Sequence, residues 1–409
     1  MEQFRDLTLK GWRQFEEINI NFEGQTTVLT GANGCGKTTI LNVLSHHFGW
    51  SLSFTATPFM GKKTKKRIFS DLRKIRESEE LTSSANQVGV ITYVGGNKCS
   101  LKIPENSTKN PQYALQYANQ LQVTGLHIPS HRPAISFHSV ENLPVNPKTN
   151  QQQYQEFQQL LLQTYGSANV RNPGVVLKQS LISLALFGYG NEAVQSNEEY
   201  KNLFLGFQNV LRVMLPKTLG FEKLEIRMPD VVLITKTGDF PLSSMSGGVN
   251  SLFGIAWQIH MYGADKDHCT VIIDEPENHL HPSMQRTLLP NLAEAFPNYK
   301  FIIATHSPFI VTSNPNANVY GLLYNESQRI VSEHLTKADL SGTPDRVLRD
   351  ILDVPTTLPV WVEEKIQDIL NKYEGQPDSK EKAMAMFEEL KQAGLNDSLS
   401  SFDSKSSRD

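Results

Sequence analysis

Residues 30 to 39 read Thr-Gly-Ala-Asn-Gly-Cys-Gly-Lys-Thr-Thr, and Gly31 to Thr38 meets the spacing G-x-x-x-x-G-K-[ST] without a mismatch. Before this loop the chain alternates, ending in "TTVLT", which predicts strands. After it, Ile40, Leu41, Val43, Leu44 and Phe48 recur at helical spacing, with Gly49 as a stop. A strand, a glycine loop and a helix in that order constrain the fold strongly. Side chains are kept clear, so backbone N–H groups can surround a run of phosphates, and the helix N-terminus adds partial positive charge. Lys37 is then placed to reach the β- and γ-phosphates, and the Thr38 hydroxyl to bind Mg²⁺.

The rest of the chain supplies chemistry that fits a bound triphosphate. "TVIIDEPENHLHP" is an apolar strand ending in Asp274 and Glu275. Open α/β sheets place ligands at the carboxyl ends of their strands. There Asp274 is expected to hold Mg²⁺, and Glu275 to polarise an attacking water. "FIIATHSP" is another apolar strand, ending at His306; a histidine there either touches the γ-phosphate or serves the structure. "MSGGV" sets Ser246, Gly247 and Gly248 just before an apolar helix, a second N-terminus with free N–H groups.

Strand–loop–helix units at both ends, with a helical stretch between, predict a mainly parallel sheet with helices on its faces. The expected divisions are a first lobe with the phosphate loop over 1–130 and a mostly helical insertion over 131–225. A second lobe over 226–325 carries Ser246-Gly247-Gly248 and the paired carboxylates, followed by a C-terminal helical region over 326–395 and a disordered tail over 396–409. The net charge of the 409 residues is −3, so any nucleic-acid surface must be local. Such a patch exists at 62–76, with eight Lys or Arg and one Asp. Lys62, Lys63, Lys65, Lys66 and Arg67 either meet nucleic-acid phosphates or form a solvated loop. Three cysteines without paired spacing fit a reducing cytosol. The charged N-terminus lacks a signal core and no apolar run reaches membrane-span length, so a cytoplasmic protein without a membrane partner is expected.

The order of phosphate loop, serine–glycine–glycine signature, paired carboxylates and histidine resembles the ABC-type ATPase head. "GANGCGKTT" with "DEPENHLHP" and "ATHSP" resembles its RecF/SMC/OLD-like branch, nearest to stand-alone ATPases of bacterial anti-phage defence modules. The resemblance covers 1–60 and 225–325 well and the insertion poorly. It implies an α/β ABC-ATPase head, a mixed or parallel sheet with helices, carrying a helical insertion and a helical C-terminal tail, and ATP and Mg²⁺ as cofactors. Asn33, Gly34, Gly36, Lys37, Thr38 and Thr39 would hold the nucleotide. Ser246, Gly247 and Gly248 of a second copy would close on it, in a homodimer or higher homo-oligomer. Glu275 and His306 would be catalytic, Thr38 and Asp274 would bind the metal, and a separate nuclease or toxin chain would be the effector. Two other readings carry over: a RecF-like repair ATPase acting on DNA, and a nucleotide-gated scaffold with little turnover. The sequence departs from the pattern at Met245 and Val249, where Leu and Gln are usual, and at Cys35. No magnesium-contacting glutamine follows "HIPSHRP"; His131 or Arg132 stands in that place.

Overall fold

The computed structural model describes residues 2–61, 65, 67–72, 86–104, 110–133, 135, 140, 142–143, 148–164, 172–340, 344–350, 359–373, 379–393 and 395. It divides into two compact units, Met1–Leu340 and Ser341–Asp409.

The first unit is built on an 11-stranded sheet. From one edge its strands run Gln116–Ala118, Lys98–Lys102, Gln87–Tyr93, Phe4–Trp12, Phe15–Asn21, Ile330–Leu335, Asn318–Tyr324, Thr26–Thr30, Tyr299–Ala304, Cys269–Asp274 and Gly125–Ile128. The block from Asn318–Tyr324 to Gly125–Ile128 is parallel throughout. Its strand Cys269–Asp274 is buried at every position, as expected where helices cover both faces. The opposite part of the sheet pairs mostly antiparallel, because short turns such as Arg13–Gln14 can join only antiparallel neighbours. The sheet is therefore mixed, with parallel pairing concentrated where the apolar runs lie. Two strands differ from the sequence reading. Ile330–Leu335 falls within the expected C-terminal helical region, yet it pairs with both Asn318–Tyr324 and Phe15–Asn21. Phe221–Arg227, which begins inside the expected helical insertion, joins Asp230–Thr235 and Phe240–Pro241 in a separate 3-stranded sheet.

The helical insertion comprises Asn150–Thr164, Gly174–Tyr189 and Glu198–Met214. It packs on the helix that follows the signature, Gly247–Gly263, within the same compact unit. Phe157 meets Trp257 at 5.0 Å between ring centroids, and Phe207 meets Phe253 at 5.2 Å. Trp257 is wholly buried, and its indole N–H donates to Ser180 Oγ at 3.0 Å. Gly174–Tyr189 is apolar on nearly all sides, and its buried Lys178 is ion-paired with Asp230.

In the second unit the helices Val360–Tyr373 and Lys380–Gln392 enclose a small core of Val362, Ile366, Ile369, Leu390 and Leu395. The tail 396–409 lies outside the described residues. No described helix is long and apolar enough to cross a membrane.

The indole–hydroxyl bond between insertion and signature helix gives a direct expectation. Ser180→Ala leaves a buried N–H unsatisfied and should cost about 1–3 kcal/mol of stability, measured by urea unfolding; an unchanged midpoint would show the bond to be dispensable.

Candidate nucleotide site

The phosphate loop connects strand Thr26–Thr30 to helix Lys37–Ser45 at the carboxyl end of the parallel block. Gly31 and Gly36 take φ of 141° and 93°, and both are closed in. A Cβ at Gly31 would lie 2.5 Å from the Leu322 carbonyl oxygen, and one at Gly36 2.5 Å from the Phe15 ring. Gln14 pins the loop from the β-hairpin turn, its side-chain amide donating to Gly34 O at 3.1 Å. Asn33, Gly34 and Thr38 are exposed and Thr39 is half-buried. Lys37 is 6% exposed, and its Nζ donates to Gly31 O at 2.8 Å and Ala32 O at 3.1 Å. Cys35 is buried beneath the loop, and burial raises its thiol pKa despite the neighbouring Lys37, so it serves as packing.

Asp274 ends its strand with its side chain buried, at 3% exposure. The Thr38 hydroxyl donates to Asp274 Oδ2 at 2.9 Å, across 236 residues of sequence. Asp274 Oδ1 is buried without a hydrogen-bond partner. A hydroxyl and a carboxylate with one uncommitted buried oxygen form a hard-oxygen donor set that fits Mg²⁺. Burial pushes the Asp274 carboxyl up to about 6; the Thr38 hydroxyl opposes this, and the charges of Glu275 and Glu277 add to it.

Glu275 has φ of 45°, a left-handed backbone that costs a side-chain-bearing residue about 1–2 kcal/mol. Its N–H donates to Ala304 O at 2.9 Å, and its carboxylate accepts from the Asn278 side-chain amide at 3.2 Å. His306 follows strand Tyr299–Ala304, with its Nδ1 3.1 Å from Glu277 Oε1 and 3.9 Å from Glu275 Oε1. The phosphate loop, Asp274, Glu275 and His306 are thus brought together. Ser246, Gly247 and Gly248 are not joined to them: among the described residues no hydrogen bond ties this triplet to the phosphate loop. Ser246 and Gly247 lie exposed at the helix N-terminus, and Gly248 is buried against Met284 and His279.

Two residues that hold this arrangement were not read from the sequence. Glu277, 6% exposed, accepts from the Thr305 hydroxyl at 2.7 Å and the His306 backbone N–H at 2.8 Å. Asn278 holds the Glu275 carboxylate. Both stand inside "DEPEN"; the signal available was a second acid in a turn flanked by apolar residues. Arg132 is the third surprise: it turns onto backbone carbonyls of the carboxylate segment, whereas His131 is exposed. Of the basic run, Lys62, Lys63 and Lys66 lie outside the described residues, while Arg67 is exposed in the short strand Arg67–Phe69.

An AAA domain family model matches residues 6–212, just over half of the chain, and the model described as "AAA domain, putative AbiEii toxin, Type IV TA system" matches residues 228–312. The chain belongs to the AAA domain family. It is 21% identical to "Retron Ec83 probable ATPase" of Escherichia coli, over 90% of this chain and 79% of that one. It is 18% identical to "Septu protein PtuA" of Bacillus thuringiensis, over 88% of this chain and 86% of that one. A local stretch of 43 residues is 49% identical to "Retron Vc95 probable ATPase" of Vibrio cholerae, covering 10% of this chain and 8% of that one. Among solved structures, the SMC head domain from Thermotoga maritima aligns with TM-score 0.42 at 14% identity, over 82% of this chain and 98% of that one. Family and relatives agree with an ABC-type ATPase of the RecF/SMC/OLD-like branch.

The buried carboxylate predicts a measurable pH effect. The raised Asp274 pKa means the folded chain binds more protons than the unfolded chain between about pH 4 and pH 6. Without ligand, its contribution therefore turns unfavourable as pH rises through that window and levels off above it. Asp274→Asn should gain on the order of 1–3 kcal/mol over wild type at pH 7.5 and much less at pH 4.5, by urea unfolding at both pH values. Equal differences at the two pH values would contradict the raised pKa.

Proposed function

We propose that this chain binds and hydrolyses ATP with Mg²⁺, dimerises on ATP, and regulates a separate nuclease or toxin effector in bacterial anti-phage defence. The observation that carries the hydrolytic reading is the Thr38–Asp274 hydrogen bond, with the second Asp274 oxygen uncommitted and Glu275 beside it. Thr38 and Asp274 would hold Mg²⁺, which when bound offsets the charge of the phosphates. Lys37 exchanges the carbonyls of Gly31 and Ala32 for phosphate oxygens. The Glu275 carboxylate accepts the proton of the attacking water. Glu277 holds Nδ1 of His306, leaving Nε2 to meet the γ-phosphate.

Dimerisation is supported by the exposed signature. Ser246 and Gly247 present a helix N-terminus to solvent, a site suited to phosphate oxygens held by a second copy. The effector and defence reading rests on the motif resemblance and on the retron and Septu relatives.

The test compares wild type, Lys37→Ala and Glu275→Gln in ATP binding, turnover and solution mass. Lys37→Ala should lose ATP binding at least tenfold. Glu275→Gln should bind ATP but turn over at least 100-fold more slowly, and accumulate as a dimer with ATP and Mg²⁺. Full turnover by Glu275→Gln would remove the assigned base; a monomer at every nucleotide concentration would remove the dimer. Purification from native cells with ATP and Mg²⁺ should bring a nuclease or toxin with the chain; recovery with DNA and replication proteins would replace the defence reading by a repair one.

A further inference from the structure

Arg132 sits four residues beyond strand Gly125–Ile128, the edge strand beside Cys269–Asp274. The parallel pairing of these strands ends at Ile128 and Ile273. Beyond that point the Arg132 guanidinium bonds to the main chain of both segments. Its Nη1 donates to Pro129 O at 2.9 Å and to Asp274 O at 3.0 Å, and its Nη2 donates to Glu275 O at 2.9 Å. One planar fork thus binds its own loop to both carboxylate residues through their main chain. Only arginine presents donors in such a fixed array.

Glu275 has a backbone that needs holding. Its left-handed φ of 45° persists only where neighbours over-determine it. On one side its N–H is fixed by Ala304 O, and on the other its carbonyl is fixed by Arg132. The same loop acts a second time through the side chain. Asn278 donates to Ser130 O at 3.3 Å and to Glu275 Oε2 at 3.2 Å. Both the peptide and the carboxylate of Glu275 are therefore referred to residues 129–132.

Three residues further on, Ile135 N–H donates to Asn250 Oδ1 of the signature helix at 3.3 Å. Ile135 is buried, and its Cα and side chain lie within 3.4 Å of where a Gly174 Cβ would sit, at the start of the insertion helix Gly174–Tyr189. One short loop thus touches the glutamate, the signature helix and the insertion.

From this geometry we propose that Arg132 is a positioning residue for hydrolysis. It sets the aim of the Glu275 carboxylate, and it makes that aim depend on where the signature helix and the insertion hold the loop 129–135. The inference rests on the reading of Glu275 as the base for ATP hydrolysis. The bonds that carry its role end on the carbonyls of Pro129, Asp274 and Glu275, so its loss should act first on the rate and leave nucleotide binding close to wild type. A misaimed base costs rate, on the order of 100-fold per ångström of misplacement.

The experiment measures ATP affinity and single-turnover hydrolysis for wild type, Arg132→Lys, Arg132→Ala, Glu275→Gln and Arg132→Ala combined with Glu275→Gln. Arg132→Lys keeps the charge but reaches only part of the carbonyl array. Both Arg132 variants should lose about 10- to 100-fold in rate, with ATP dissociation constants within about threefold of wild type. Adding Arg132→Ala to Glu275→Gln should cost less than threefold more, because an arginine acting through the glutamate has nothing left to aim. Wild-type rates in both Arg132 variants, equal losses of binding and rate, or a full further loss in the combined variant would each overturn the proposal. A wild-type chain that binds ATP without turnover would instead overturn the hydrolytic reading, and this proposal with it; wild-type turnover with unaffected Arg132 variants removes this proposal alone.

Discussion

The Asp274 carboxylate is the constraint around which the site is arranged. Taking a charge out of water is costly unless partners compensate, and here compensation within the chain is partial. One oxygen accepts from Thr38, and the other has no hydrogen-bond partner. The carboxyl answers by raising its proton affinity to about 6. Such a group works against the stability of the fold on its own and gains its advantage only beside a cation. The strands that bury it, Gly125–Ile128 and Tyr299–Ala304, are the ones whose ends supply Arg132, Thr305 and His306. The architecture of the parallel block and the chemistry of the site are in this sense one arrangement.

The loop glycines follow from the same crowding. Gly31 and Gly36 are required by close approach as well as by backbone angle, since a methyl group at either would strike the Leu322 carbonyl or the Phe15 ring. Phe15 comes from a strand of the antiparallel part of the sheet, so that part does more than extend it. It supplies the floor on which the phosphate loop rests, with Gln14 as a tether. The insertion is tied in from the other side through Trp257, Phe253 and Asn250 of the signature helix. The insertion therefore packs directly on the signature helix, and that helix is bonded through Asn250 to Ile135, close to the loop that holds the carboxylate segment.

Wherever a residue's role is set by local pattern, the sequence is informative. The phosphate loop, the apolar strands ending at Asp274 and near His306, and the amphipathic helix Glu198–Met214 carry their pattern openly. The contributions of Arg132, Glu277 and Asn278 do not, because each acts on backbone or side chains brought near by the fold, and no spacing encodes that. Which strands pair with which is not legible, for a similar reason. The hairpins are legible one by one, but the pairing of Phe4–Trp12 with Gln87–Tyr93, and of Phe15–Asn21 with Ile330–Leu335, joins segments far apart in sequence. Ile330–Leu335 in particular, with only its two end residues buried, two half-buried and two exposed, offers little apolar signal of its own.

The hydrogen bond between Thr38 and Asp274 spans 236 residues. During synthesis the phosphate loop therefore leaves the ribosome long before the acid it bonds to, and Glu275 and His306 emerge later still. A nascent or truncated N-terminal fragment carries the glycine loop without Asp274, Glu275 or His306. The parallel block itself closes only when Thr26–Thr30, from the start of the chain, pairs with Tyr299–Ala304 and Asn318–Tyr324, from far along it.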